Sequence, residues 1–326
     1  MSRATSPAAP TPPTPDDARP SLWARILAPI LRRFMKERLR RLTAGGSVEA
    51  SVVQSQRTRL DRLVRLAGER SRGVHLGHEH MGGIEVEVLT PPQRRAGLHI
   101  LYVHGGAFAM GSPRTHRGLT RRLAIAARAR VIVPAYRLAP EHPYPAALTD
   151  LLGVYREMLA QGMVASHTVV AGESAGGNLV LALAQSLLAE GEPQPAGLVL
   201  LSPWADLACT GESLVANRDL EMMVPVDAMP VAARMYAGDH DLCTPAISPL
   251  YGEFRGLAPM LVHASSTEVL HDDARRVVDA ARAAGVDAEL RVWPQLPHAF
   301  AAFADILPEA RAAVAEIAAF VDRIVP

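Results

Sequence analysis

The stretch from Thr168 to Asn178, Thr-Val-Val-Ala-Gly-Glu-Ser-Ala-Gly-Gly-Asn, most constrains what this chain can fold into. An apolar β-branched run, Thr168 to Ala171, leads into Gly172-Glu173-Ser174-Ala175-Gly176, and small and aliphatic residues suited to a helix continue from Gly177 to Ala189. The pattern predicts strand, sharp turn and helix, with Ser174 at the apex in a strained backbone conformation and its hydroxyl exposed. Glycines flank the serine because a Cβ at either place would meet the neighbouring strand or helix. The five letters alone arise by chance in roughly one chain of this length in ten, so the reading rests on what surrounds them.

What surrounds them alternates. Gly83 to Val88 reads as a half-exposed strand, with Ile84, Val86 and Val88 inward against Glu85 and Glu87. Leu98 to Val103, Val131 to Ala135, Gly197 to Leu201, Met260 to Ala264 and Ala288 to Val292 are short apolar runs that read as strands. Helical patterns at Arg117 to Ala129, Ala146 to Ala160, Leu270 to Ala284 and Pro308 to Ile324 fall between and after them. Strands alternating with helices predict an α/β fold, a mostly parallel sheet covered on both faces with ligands at the carboxyl ends of the strands. The 326 residues, 49% of them hydrophobic, suffice for one large domain. One interval breaks the alternation, Trp204 to Pro249, with four prolines and Met222, Met223, Met229 and Met235. It is too long for a loop and is expected to be a helical insertion above the sheet. The expected organisation is a Pro-rich disordered tail over 1–20, amino-terminal cap helices over 21–66, a core over 67–203, the cap insertion over 204–249, and the rest of the core over 250–326.

From Ser21 to Leu42, Trp23, Ile26, Leu27, Ile30, Leu31, Phe34, Met35, Leu39 and Leu42 recur at helical spacing among arginines and Lys36. The favoured reading is a helix whose apolar face packs on the protein; the alternative is a membrane-surface helix. A second helix is expected from about Val48 to Leu66. The amino terminus lacks the apolar core of a signal peptide and no apolar run reaches membrane-spanning length, so a soluble cytoplasmic protein is expected. The 34 basic and 33 acidic residues make no electrostatic case for nucleic acid. Cys209 and Cys243 stand in no ligand spacing and are expected to be reduced.

A serine needs a base to take its proton, a third group to orient the base, and N–H donors for the tetrahedral oxyanion. His104-Gly105-Gly106-Ala107 follows a strand directly and offers Gly105 and Gly106 as donors, joined by Ala175 after the nucleophile. Phe108, next in that loop, is placed against substrate. His298 stands in the loop after the last strand as the base. Glu268, after the strand Met260 to Ala264, fills the slot for the acid, and the order serine, acid, histidine is that of hydrolases with this strand-turn-helix. His78-Glu79-His80 lacks a third ligand and reads as surface, so no metal site is expected. Asp272 and Asp273 fall where a helix begins and suit its positive end.

Four motifs in order, His104-Gly105-Gly106-Ala107, Tyr136-Arg137-Leu138-Ala139-Pro140-Glu141-His142-Pro143-Tyr144-Pro145-Ala146-Ala147, Gly172 to Asn178, and Ser202-Pro203-Trp204, resemble the hormone-sensitive-lipase family of α/β-hydrolase esterases. The resemblance runs from about residue 83 to the carboxyl terminus. It implies an eight-stranded α/β-hydrolase core, a helical cap, and hydrolysis of a small-molecule carboxylic ester without a cofactor. It also implies that Arg137 and Glu141 brace the oxyanion loop. Two positions depart from the family: Ala107 replaces the third glycine of its loop motif, and Glu268 stands where aspartate is usual. The same machinery would serve lactone hydrolases and small deacetylases. The rivals are a membrane-docked lipase and a non-catalytic hydrolase-fold binding protein, and no motif encodes the oligomeric state.

Overall fold

Strands β1 (His75–Met81), β2 (Ile84–Thr90), β3 (His99–Val103), β4 (Arg130–Pro134), β5 (Thr168–Glu173), β6 (Gly197–Leu201), β7 (Met260–Ser265) and β8 (Ala288–Trp293) form one sheet in a computed structural model that describes residues 19–33, 50–66 and 72–325. Their order is β1-β2-β4-β3-β5-β6-β7-β8. The β1–β2 and β2–β4 pairings are antiparallel, and every later pairing is parallel. The expected α/β architecture is therefore present. Sequence reading missed β1, because its His75, His78, Glu79 and His80 give no apolar alternation; ladder bonds to β2 hold this edge strand. Exposed His78 pairs with Glu85 at 2.9 Å. Glu79 pairs with Arg130.

Alternate strand residues supply the two faces. Leu101, Val103, Ile132, Val170, Leu198, Leu200 and Val262 join a core with α4 (Ala146–Ala160), α5 (Ala175–Ala189) and α8 (His271–Ala283). Ile100, Tyr102, Val131, Val133, Val169, Val199 and Leu261 join a second core with α3 (Pro113–Ala127) and α9 (Pro308–Ile324). Because side chains alternate along a strand, each parallel strand is apolar on both faces, which is why these runs read as continuous apolar segments.

Helix α1 (Leu22–Leu31) departs from the expected packing. Its buried contacts come from small Ala24 and from Leu27, while Leu22, Trp23, Ile26 and Ile30 are exposed. It is held instead by polar ends: Glu309 of α9 accepts from the Ser21 backbone N–H at 2.6 Å and from its hydroxyl at 3.0 Å, and Arg32 donates to Leu220 O at 2.8 Å. The tail and the remainder of the expected 21–42 helix, from residue 34, lie outside the described residues. Helix α2 (Ala50–Leu66) matches the second expected helix. No helix among the described residues is long and apolar enough to cross a membrane.

The 204–249 interval is less helical than expected, with a single turn, α6 (Ser213–Ala216), and α7 (Met229–Ala237) as its α-helices and a 3-10 turn at Val226–Ala228. Side-chain carboxylates hold much of the rest by binding backbone N–H groups in place of a helix ladder. Asp206 accepts from Ala208 and Thr210, and Glu221 from Met223, Val224 and Val269.

The glycines of the strand-turn-helix are sterically required. A Cβ on Gly176 would lie 2.1 Å from Val103 O, and one on Gly172 would lie 2.6 Å from Gly176 O. Gly83, by contrast, has φ +84° but open space around it. Gly176→Ala is expected to abolish recovery of folded protein, whereas Gly83→Ala should cost about 1 kcal/mol in urea unfolding, the ordinary penalty of a left-handed alanine.

Candidate active site

Ser174 sits between β5 and α5 with φ 55° and ψ −122°. Its N–H donates to Leu201 O, and its carbonyl accepts from Trp204 and Asn178. The turn is thereby tied to β6 and to the first residues of the insertion. Asn178 adds bonds to Trp204 O and Ile247 O, both 2.9 Å.

Glu268 follows β7 and His298 follows β8, and the fold brings them together. Glu268 Oε2 lies 2.7 Å from His298 Nδ1, with both residues buried. Its other oxygen accepts from the Ser265 N–H at 2.7 Å and from the Ser202 hydroxyl at 3.0 Å. Burial lowers the His298 pKa, but hydrogen bonding and charge from Glu268, with Glu221 and Glu173 further off, raise it above 6.5 overall. Asp272 and Asp273 lie in the first turn of α8, but their carboxylates turn to the insertion: Asp272 accepts from Ser213 N–H, and Asp273 from Ala205 and Asp206 N–H. Burial pushes the Asp273 carboxyl up to about 8.

Ser202 is a site residue that sequence reasoning missed. Its hydroxyl donates to Glu268 and accepts from the Ala299 N–H at 3.1 Å, so one side chain joins the acid to the histidine loop. Its Ser-Pro-Trp motif was visible, but nothing in the sequence connects it to residues 66 and 97 positions away.

The loop after β3 corrects two expectations. The Gly105 N–H donates to Glu173 Oε1, which removes it as a donor to substrate. The N–H groups of Gly106, Ala107 and Ala175 have no acceptor among the described residues. A Cβ on Gly105 would lie 3.1 Å from Ser174 Cβ, so this loop runs directly against the serine. Phe108, expected to touch substrate, is 1% exposed. Its ring stacks on Tyr236 of α7 at 3.8 Å and lies 5.8 Å from Trp204, so it anchors the insertion instead.

Nor do Arg137 and Glu141 act alike. Arg137 binds Asp150 on α4. Glu141 pairs with Arg57 of α2 at 2.9 Å, and Arg57 in turn donates to Ala109 O at 2.7 Å and Ala139 O at 2.5 Å. Glu141 thus steadies the loop through an arginine from the amino-terminal segment. Among the described residues no His, Cys, Asp or Glu group is arranged to hold a metal, and both cysteines are free.

A family model described as alpha/beta hydrolase fold matches residues 100–302. An acetyl-hydrolase of Streptomyces hygroscopicus is 41% identical over 70% of this chain and 77% of its own length. An esterase of Acinetobacter venetianus is 36% identical over 80% and 86%. Among solved structures, an esterase from the bacterial hormone-sensitive lipase family superposes with TM-score 0.82 at 37% identity, covering 91% of this chain and 99% of that one. The chain belongs to the hormone-sensitive-lipase family of α/β-hydrolases. Carboxylic-ester hydrolysis is its chemistry, and the family's helix-topped sheet is what carries Ser174, Glu268 and His298 to one end of the strands. Within this family site, Ser202→Ala is expected to lower kcat about tenfold with KM little changed, since roughly 1.4 kcal/mol is a typical loss for a hydrogen bond to a charged group. Steady-state kinetics on a p-nitrophenyl ester would check it.

Proposed function

We propose that the protein is a serine carboxylesterase that works through an acyl-enzyme, with Ser174 as nucleophile, His298 as general base and acid, and Glu268 as the acid of the triad. The observation that carries this is the 2.7 Å contact between Glu268 Oε2 and His298 Nδ1, with Ser174 held in a strained turn after β5 of the same sheet. With Nδ1–H donated to Glu268, the Nε2 lone pair is left to take the Ser174 proton. As Ser174 attacks the ester carbonyl, the imidazolium that forms is stabilised by Glu268. Gly106, Ala107 and Ala175 N–H groups, the last at the positive end of α5, receive the oxyanion. His298 then passes its proton to the departing alcohol, and water, activated by the same base, releases the acid.

The exchange of aspartate for glutamate is compatible with this role, because the longer side chain still reaches Nδ1 while Oε1 is held by Ser202 and the Ser265 N–H. Glu268→Gln is expected to lower turnover by as much as roughly 10⁴-fold. Asp272→Asn and Asp273→Asn should act on stability instead, on the order of 1 kcal/mol, through weaker hydrogen bonds to the insertion backbone. Near-wild-type turnover in folded Glu268→Gln would overturn the assignment. Because a base must be unprotonated, the raised His298 pKa places the acid limb of kcat/KM above pH 6.5, and Glu268→Gln should move that limb downward. A fluorophosphonate probe should label Ser174 and fail on Ser174→Ala.

The α1 and α2 segment and the 204–249 insertion form the cap in this reading. Phe108 stacks on Tyr236 of the insertion and lies 5.8 Å, tilted, from its Trp204, and this aromatic packing supports a small acyl pocket. The similarity to an acetyl-hydrolase supports the same choice. Esters with acyl chains of about two to eight carbons should be preferred, consistent with pockets of about 300 to 1,000 Å³. A p-nitrophenyl ester series with lactones alongside tests this, and faster hydrolysis of emulsified long-chain triglyceride would contradict it.

A further inference from the structure

We infer that Glu173 and His116 are positioning residues of this esterase: an ion pair between them sets the place of the oxyanion loop and through it the turnover rate. The inference rests on Gly106, Ala107 and Ala175 being the oxyanion donors. Glu173, the variable residue of Gly-x-Ser-x-Gly, is 3% exposed yet carries a full set of donors. Its Oε1 accepts from the Gly105 N–H and lies 2.7 Å from His116 Nε2. Its Oε2 accepts from the Tyr102 hydroxyl. A carboxylate removed from water stays ionised only when a cation or several donors compensate it.

The geometry assigns that cation. His116 Nε2 faces the Glu173 carboxylate, while Nδ1 faces Ser112 O at 3.1 Å and Thr115 Oγ1 at 2.8 Å. The Thr115 hydroxyl donates to Ser112 O, so it presents a lone pair to the ring. Both ring nitrogens therefore face acceptors, and only the imidazolium has two N–H groups to offer. His104 stacks on His116 with ring centres 5.3 Å apart. Burial, then the charge of His116, holds His104 down at about 4 and neutral. His104 in turn lies under Tyr136, whose hydroxyl donates to His104 O at 2.6 Å. The start of the oxyanion loop is thus gripped at the His104 carbonyl and at the Gly105 N–H, immediately before the donors that follow.

The groups facing the pair come from four directions. Tyr102 and His104 belong to β3 and its end, Tyr136 follows β4, Ser112 and Thr115 begin α3, and His298 lies in the loop after β8, where Glu173 also favours its charged form. Burial opposes the charge on His116, but Glu173 outweighs it and the pKa is raised. The pair's contribution is therefore complete between the Glu173 range, which its donors hold below 4.5 despite burial, and about pH 6.5, and it is lost on the alkaline side as pH rises through the raised His116 value.

Three variants test it: His116→Gln, Glu173→Gln and the double variant, with surface His78→Gln as control. The measurements are kcat and KM on p-nitrophenyl acetate, the pH profile of kcat, and inhibition by a trifluoromethyl ketone, which Ser174 converts to a tetrahedral adduct. Since a small misplacement of catalytic groups costs on the order of 10²-fold, kcat should fall by about 10- to 100-fold with KM within about threefold. Affinity for the ketone should fall in parallel. The double variant should be no worse than Glu173→Gln, and the alkaline limb present in the wild type should disappear in His116→Gln. If Glu173→Gln does not fold, His116→Gln decides alone. The inference is overturned if His116→Gln keeps wild-type kcat and alkaline limb, or if KM rises as steeply as kcat falls. Absence of phosphonate labelling in the wild type would instead overturn the serine reading itself.

Discussion

Everything at this site depends on how closely two backbones approach. The turn between β5 and α5 passes so near the end of β3 that Gly176 leaves no room for a methyl group beside Val103 O. That approach puts the Ser174 turn and the His104 to Phe108 loop within contact of each other. A helix begins there as well, so its unsatisfied amides and its positive end add a positive field. Ser174, Ala107 and Phe108 all have positive φ, and each is held by partners far along the chain: Leu201 O for Ser174, and Ala139 N–H and Tyr236 for Phe108 and its loop.

Much of this was legible because the physics is local. A β-branched run, two glycines around a serine and an aliphatic helix specify their own turn, and seven of the eight strands in the sheet were apolar enough to be read directly. Glu268 and His298, proposed here as acid and base, were picked out by their place after successive strands, and the fold sets them 2.7 Å apart. What escaped reading depends on tertiary partners. His75 to Met81 become a strand because β2 offers a ladder, not because the residues favour one. The Gly105 N–H, expected to meet substrate, is already taken by Glu173, a carboxylate whose direction no spacing reveals. Ser202 and Arg57 likewise matter through bonds to residues far along the chain. The Ser21 helix carries an amphipathic pattern that describes its sequence correctly and its packing incorrectly, since polar bonds to Glu309 and Leu220 decide how it sits.

The insertion illustrates a second general point. Carboxylates of Asp206, Glu221, Asp272 and Asp273 bind its backbone N–H groups, and the last two belong to α8, the helix that follows Glu268. Glu221 also receives the N–H of Val269, next to the acid itself. The segment above the sheet is therefore fastened to the same short stretch that supplies Glu268, the proposed acid. Loop and acid share their supports, so irregular backbone here is as firmly determined as a helix would be.

The face-to-face contact of Phe108 with Tyr236 carries a consequence for how such an enzyme diversifies. One ring comes from the loop that would receive developing negative charge and the other from the insertion that would shape the acyl pocket. The two parts are mechanically a single piece. Exchanging the insertion to admit another acyl group would also re-seat the loop, so selectivity and rate are inherited together, and a graft that changes the first must carry its own partner for Phe108 to preserve the second.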